Sequence, residues 1–155
     1  MRKVVLLLVI FSCLAVSKAG AQSHGQDYST AIGIKFYPTA LSVKHFVNDG
    51  DAAIEGLGYF WNYGFRITGL YEFHHDLAGV DGLKWYIGPG VHFTAYDTRY
   101  GGGSAVGLDG VLGLDYKFED APVDLSIDWQ PSIEFGNGFN NGFYNMGGLG
   151  IRYAF

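Results

Sequence analysis

Residues 105–118 read AVGLDGVLGLDYKF, in which apolar side chains alternate with small or charged ones. The even positions, from Val106 to Phe118, carry Val, Leu, Gly, Tyr and Phe, whereas the odd positions include Asp109 and Asp115. Successive side chains of a β-strand point to opposite faces of the sheet. A period of two over a run of this length therefore predicts a strand with one apolar face.

Two further runs complete the last fifty residues. Residues 123–135 read VDLSIDWQPSIEF and carry their apolar side chains on odd positions. Residues 148–155 read GLGIRYAF, and their apolar positions are also odd, up to the terminal Phe155. The sequence therefore predicts three consecutive strands here.

The composition of the two faces indicates the solvent that each one meets. The polar face mixes Gly with acids and isolated Lys or Arg, as expected for a narrow, hydrogen-bonded lumen. The apolar face carries Trp, Tyr, Phe, Leu and Ile, with aromatic residues towards the strand ends, which is typical of a lipid-facing surface. Periodicity alone leaves a soluble barrel with an apolar interior open, because that fold alternates in the same way.

Five shorter patterns precede these three strands. They cover residues 32–37, 41–47, 53–60, 65–74 and 83–93, with turns predicted at 48–51 and 75–82 and a longer connection at 94–104. Pro89 and Pro131 fall inside predicted strands, and a closed barrel has no free edge to accept proline, so we expect a bulge or kink at each. The total is eight strands, an even number that brings both termini to one end.

The first 21 residues have the features of a secretory leader for the general export pathway. Arg2 and Lys3 precede an apolar run from Val4 to Val16, and a small-residue site follows at residues 19–21. We expect three segments: a signal peptide at 1–21, a short periplasmic lead-in at 22–30 and a barrel at 31–155.

Charge and cysteine usage exclude several classes of function. The leader contains three of the ten basic residues, so its removal would shift the net charge from −5 to −8. An acidic exported protein without a basic patch argues against nucleic acid as a partner. The one cysteine, Cys13, lies in the leader, so we expect no disulfide and no thiolate metal site in the mature chain. The glycines at 101–103 lack the spacing of a phosphate loop, and we expect no cofactor.

This pattern resembles the small eight-stranded outer-membrane β-barrel proteins of Gram-negative bacteria. The resemblance covers nearly all of the predicted mature chain, and its sharpest motif is the final strand with Leu149, Ile151, Tyr153 and Phe155. It implies an all-β, eight-stranded, antiparallel, up-and-down transmembrane barrel in the outer membrane. It also implies contact with outer-membrane lipid and an assembly signal, in that final strand, for the barrel-assembly machinery.

The candidate site is a set of charged side chains that the alternation directs into the lumen. Because an isolated buried charge costs several kcal/mol, we expect these side chains to form ion pairs. They are Lys35, Lys44, Glu55, Arg66, Glu72, Asp109, Asp115, Asp124, Asp128, Glu134 and Arg152.

The function predicted from these residues is a non-enzymatic, structural or accessory outer-membrane barrel, able to dock onto a larger membrane complex. A lipid-modifying enzyme is one alternative, but His45, His74, His75 and His92 have no serine two residues away on the same strand face. His74 and His75 beside Asp76 suggest a metal, yet adjacent residues of a strand point apart, so we expect none there. The other alternative is a soluble exported barrel that binds an apolar ligand.

Overall fold

The computed structural model describes residues 28–100, 102–136 and 142–155, which form eight antiparallel strands and two single-turn 3-10 segments. The strands are β1 (Thr30–Phe36), β2 (Ala40–Val47), β3 (Ala52–Trp61), β4 (Gly64–Asp76), β5 (Leu83–Tyr96), β6 (Gly103–Lys117), β7 (Val123–Gly136) and β8 (Gly142–Ala154). The 3-10 segments are Asn48–Gly50 and Thr98–Tyr100. The predicted leader and residues 22–27 of the predicted lead-in lie outside the described residues. No helix in the described residues is long and apolar enough to cross a membrane.

Each strand pairs with the next, and β8 pairs with β1 to close the barrel. This confirms the predicted all-β fold with eight antiparallel, up-and-down strands. Thr30 and Ala154 lie at one end, which we name the terminal end, and Phe36 and Gly142 point to the opposite, distal end. Tyr28, which precedes β1, is already buried at the terminal end.

The strand registers fix the shape of the barrel. A line through the paired residues of successive strands starts at Ile32 of β1 and reaches Phe143 of β8. Extended along β1 in the β1–β8 register, Phe143 corresponds to a point about ten residues beyond Ile32. With eight strands, this stagger corresponds to a tilt of roughly 40° from the barrel axis. A barrel of this size has an interior that side chains alone can fill.

The barrel is apolar outside and polar inside. The predicted outward rows are exposed; for example, Leu108 is 59%, Ile127 53% and Ile151 51% exposed. Among the described residues, twenty polar or charged side chains are buried, against thirteen apolar ones. A soluble domain has the reverse arrangement, because its apolar side chains avoid water.

Two apolar clusters lie within the polar interior. At the terminal end, Tyr28 and Phe46 pack edge to face, with ring centroids 5.1 Å apart, beside small alanines. The second cluster, further towards the distal end, consists of Ala40, Leu57, Tyr59, Leu70, Tyr86 and Val111, with Trp61 and Met146 packed against it. We name it the inner apolar layer.

Some strands extend further than the sequence pattern predicted. The predicted turn at 75–82 begins only after Asp76, because Lys84 Nζ reaches Asp76 Oδ1 at 3.3 Å and the His75 ring packs on Trp85 at 4.6 Å. The predicted connection at 94–104 shrinks to 97–102, because Thr94 is buried and its hydroxyl donates to Glu134 at 3.2 Å. Period-two reasoning missed these ends because polar and glycine-rich sequence there still continues the ladder.

Of the bulge or kink predicted at Pro89 and Pro131, the bulge is wrong, because neither proline shifts the strand register. The β4–β5 ladder omits the two pairs beside Pro89 and then resumes in the same register. The β6–β7 ladder does the same beside Pro131, while the opposite ladders, to β6 and β8 respectively, continue unbroken. Each proline thus interrupts the ladder only on the side where its missing N–H would have pointed.

The barrel wall is shorter at β1 and β2 than elsewhere. β1 and β2 have seven and eight residues, whereas the other strands have ten to fifteen. Consequently, the pairing of the β1–β2 hairpin ends two residues before the distal end of β3 and seven residues before that of β8.

Candidate functional site: the buried charge network

The structure places all eleven predicted lumen residues inside the barrel, none more than 8% exposed. It does not bring them into a single cluster. They divide into a large group towards the terminal end, one ion pair at mid-depth and a smaller group towards the distal end.

Arg152 is the centre of the terminal-end group. Its Nε donates to Ser42 Oγ at 2.7 Å, and its Nη1 donates to Asp124 Oδ2 at 3.1 Å and to Ser126 Oγ at 2.9 Å. Its Nη2 forms an ion pair with Glu55. The guanidinium therefore joins β2, β3 and β7 to β8 through charge-assisted bonds, which are stronger than neutral ones.

Lys44 holds the other half of this group. Its Nζ lies 2.9 Å from Asp115 Oδ2, 3.0 Å from Glu72 Oε2 and 4.4 Å from the centre of the Tyr86 ring. His74 stacks on the same Tyr86 ring at 5.0 Å, and its Nε2 lies 3.0 Å from Glu72 Oε2.

The terminal-end group has more acids than permanently charged bases. Among the described residues, the carboxyl groups of Glu55, Glu72, Asp115 and Asp124 face two such cations, Lys44 and Arg152, and His74 lies beside Glu72; all of these side chains are buried. One oxygen of each of the four acids is buried without a hydrogen-bond partner among the described residues. An unpaired buried carboxylate is costly, and a proton removes its charge. Two protons on the four acids would balance them against Lys44 and Arg152.

We predict that the double variant Glu72→Gln, Asp124→Asn folds as well as the parent barrel, within about 1 kcal/mol. An amide has nearly the shape of the carboxyl group and is neutral without binding a proton. Infrared spectroscopy of the parent protein at neutral pH should show a protonated-carboxyl band that the double variant lacks. The variant Asp97→Asn, in the distal connection, should keep the band. A parent barrel without the band would contradict protonated acids in the terminal-end group.

One ion pair lies at mid-depth. Lys35 Nζ is 2.7 Å from Asp128 Oδ2, and the Tyr86 hydroxyl donates to the same carboxylate at 2.8 Å. On the distal side of this pair, the Tyr59 hydroxyl donates across the inner apolar layer to Gln130 Oε1 at 3.4 Å.

The distal group joins β4, β5, β6 and β7. Arg66 Nη2 pairs with Asp109, whose other oxygen lies 2.7 Å from His92 Nδ1. The second ring nitrogen of His92 is 3.3 Å from Glu134 Oε2, and Gln130 Nε2 donates to Asp109 at 3.1 Å. At the distal end itself, hydrogen bonds from Arg99 lower the pKa of the partly exposed Asp97.

Glycines on the inner face make room for these groups. A Cβ at Gly113 would lie 2.5 Å from the Tyr86 ring and 2.7 Å from Asp128 Cβ. A side chain there would therefore displace the Tyr86–Asp128 hydrogen bond.

We predict that Gly113→Ala destabilises the barrel by about 1–3 kcal/mol, the usual cost of overpacking. The matched control is Gly69→Ala, because a Cβ at Gly69 has no neighbour within 4 Å. Urea unfolding followed by tryptophan fluorescence measures both. Equal stabilities of the two variants would contradict the filled lumen.

Sequence reasoning left several network members out of the predicted set. The alternation of inward and outward positions predicts them, because it applies to neutral side chains as well as to charged ones. They include Ser42, His74, Tyr86, His92, Thr94, Ser126 and Gln130.

The predicted assembly residues lie on the outer surface of β8. Leu149, Ile151, Tyr153 and Phe155 are between 45% and 54% exposed. The Phe155 N–H donates to the Thr30 carbonyl at 2.8 Å, so the last residue takes part in closing the barrel.

Aromatic side chains line the outer surface at the terminal end. Three pairs of rings, each two residues apart on one strand, pack at 4.9–5.1 Å: Tyr71 with Phe73, Tyr116 with Phe118, and Tyr153 with Phe155. Trp85 and His75 continue this row.

Each described histidine has a partner, and none of these partners is a serine. His45 bonds Thr30 Oγ1 at 2.9 Å on the outer surface, whereas His74 and His92 bond buried carboxylates. His74 points inward and His75 outward. Among the described residues, no three His, Cys, Asp or Glu side chains form a group that could hold a metal.

No family model, curated protein or solved structure matches this chain. The fold and the geometry of the lumen are therefore the basis for assigning a function.

Proposed function

We propose that this protein is a non-enzymatic outer-membrane β-barrel, a structural or accessory component whose lumen is closed by its own side chains. The observation that carries the proposal is the inverted polarity of the closed barrel. The outward apolar side chains have their lowest solvation free energy in hydrocarbon. The closed ladder of strands gives the backbone N–H and C=O groups hydrogen-bond partners, as a membrane requires.

The outer surface supports a membrane location. Aliphatic side chains such as Ile87, Leu112 and Ile127 occupy mid-strand positions, and the aromatic row lies at the terminal end. Membrane barrels carry an apolar band flanked by aromatic girdles. The alternative of a soluble barrel around an apolar ligand requires an apolar interior, which does not fit twenty buried polar side chains.

The interior supports a structural role. Charged side chains at three depths bond across the lumen, so a solute would have to break ion pairs to pass. The described connections are also short, with at most six residues between strands. We therefore propose that the partners are outer-membrane lipid, the barrel-assembly machinery during biogenesis and a larger membrane complex.

Cell fractionation tests the location and lipid analysis tests the absence of catalysis. We expect the full chain, expressed in a Gram-negative host, to sediment with the outer membrane and to migrate faster on a gel when unheated. Lipid A and phospholipid profiles should match those of cells without the protein. Recovery in the soluble periplasmic fraction would refute the membrane proposal, and altered lipids would favour the enzyme alternative.

A further inference from the structure

Strand β8 continues beyond the strand that closes the barrel. Its ladder with β1 runs from Ala154 to Leu149, whereas its ladder with β7 continues to Gly142. Residues 142–147 are therefore paired with β7 only, whereas a Cβ at Gly148 would already meet the Phe36 carbonyl of β1. On the other side of the β1–β2 hairpin, Phe60 and Trp61 of β3 likewise extend past the last β2 pair. We name the gap between these two edges the notch.

The hydrogen-bonding groups that face the notch can be identified. The Phe155 N–H donates to Thr30 of β1, whereas the Ala154 N–H donates to the Pro122 carbonyl on the β7 side. Along an antiparallel strand, the N–H and C=O groups of successive residues point alternately to the two neighbouring strands. The backbone groups of odd-numbered residues of β8 therefore point away from β7. Phe143, Asn145 and Gly147 thus direct N–H and C=O groups into the notch, and the described residues offer them no backbone partner there.

The notch is wide enough for one or two strands and has an apolar floor. Towards the terminal end, β1 and β2 lie between β8 and β3, and neighbouring strands are about 4.8 Å apart. Met146 and Trp61 border the notch and pack against the inner apolar layer. The open edge, residues 142–147, reads GFYNMG and carries neither a charge nor a proline, the usual protections of a free strand.

These features decide between possible occupants. A lipid chain would cover the apolar floor but would leave the three N–H and three C=O groups without partners, which is costly in hydrocarbon. A second copy could pair its β8 antiparallel to this one only with its barrel inverted end to end. A strand from a different polypeptide can bond the free N–H and C=O groups of β8, whichever way the rest of that polypeptide is oriented.

We propose that the notch is a docking site for an extended strand of another polypeptide, which pairs antiparallel with Phe143–Gly147. The outward side chains of that strand would be apolar, to continue the surface beside Phe143, which is 62% exposed. Its inward side chains would be small and uncharged, to pack on Met146 and Trp61. This inference goes beyond the proposed function, and because it depends on the unpaired edge it can be tested in detergent as well as in lipid.

Amide hydrogen exchange, followed by NMR on the full chain in detergent micelles, tests the proposal. The probe is a capped Val-Thr-Val-Thr-Val peptide, and the control is the same peptide N-methylated at alternate residues. Without peptide, the amides of Phe143, Asn145 and Gly147 should exchange at least about tenfold faster than those of Tyr144 and Met146, which bond β7. The probe should slow all three, and the methylated peptide should not.

A proline pair supplies the matched variants. Asn145→Pro removes an N–H that faces the notch, so the barrel should fold and no longer respond to the probe. Met146→Pro removes an N–H that bonds β7 and should impair folding. Slow exchange at all three amides without peptide, or protection that depends only on barrel concentration, would overturn the proposal. So would an unchanged exchange rate with saturating probe.

Discussion

Replacing Arg152 with methionine is expected to destabilise the barrel by about 3–5 kcal/mol, the usual cost of removing one partner from a buried ion pair. The substitution would leave Glu55 and Asp124 without their cation, and Ser42 and Ser126 without a donor. Methionine nearly preserves the volume of the side chain, so the loss reports the polar bonds rather than a cavity. Urea unfolding in lipid vesicles measures the difference.

The matched control is Arg99→Met. Arg99 bonds Asp97 in the exposed distal connection, where its side chain is 82% exposed, and such surface pairs contribute about 0–1 kcal/mol. Arg152→Lys is a second control, because it keeps the charge but cannot reach four groups in one plane. If Arg152→Met lost no more stability than Arg99→Met, the network would not hold the barrel together.

Replacing Leu112 with arginine should cost about 2–4 kcal/mol in a bilayer, the range for a cation at mid-depth on a lipid-facing strand. Leu112 is outward on β6, 44% exposed, and lies between Ile87 and Trp129 of the neighbouring strands. Refolding yield and urea unfolding in vesicles report this cost.

Phe118→Arg is the control on the same face. Phe118 follows β6 at the terminal end, where a charge reaches the membrane surface and costs about 0–1 kcal/mol. Equal losses at Leu112 and Phe118 would contradict a depth-dependent apolar environment. In water both variants would be exposed charges with small effects.

The fold was predictable because the two faces of each strand meet opposite environments. Runs such as 105–118 and 123–135 show the alternation with few exceptions, and the count of eight strands follows from the turns between them. Strand ends were less predictable. Thr94 and Asp76 continue their ladders because of partners on other strands, which local sequence does not reveal.

The membership of the charged lumen set was predictable from parity, but its pairing was not. Lys44 bonds Asp115, 71 positions away, and Arg152 bonds Ser42, 110 positions away. Such partners depend on stagger and tilt, which arise from all eight registers together. The same reason explains the notch: β1 and β2 are short only in comparison with β3 and β8.

The most direct test of the central claim is the environment of the outward apolar rows in a bilayer. Spin labels can be attached to single cysteines at Ile127, Ser132 and Asp120 in a Cys13→Ser background. Ile127 is outward at mid-strand, Ser132 is buried in the lumen and Asp120 lies in an exposed turn.

Collision rates with oxygen, which dissolves in lipid, and with a water-soluble nickel chelate distinguish the three positions. For a membrane barrel we expect the label at Ile127 to meet oxygen far more often than the chelate, the label at Asp120 to meet the chelate, and the label at Ser132 to meet neither. A label at Ile127 that meets the chelate as readily as the label at Asp120, in protein that remains in solution without detergent, would contradict the account.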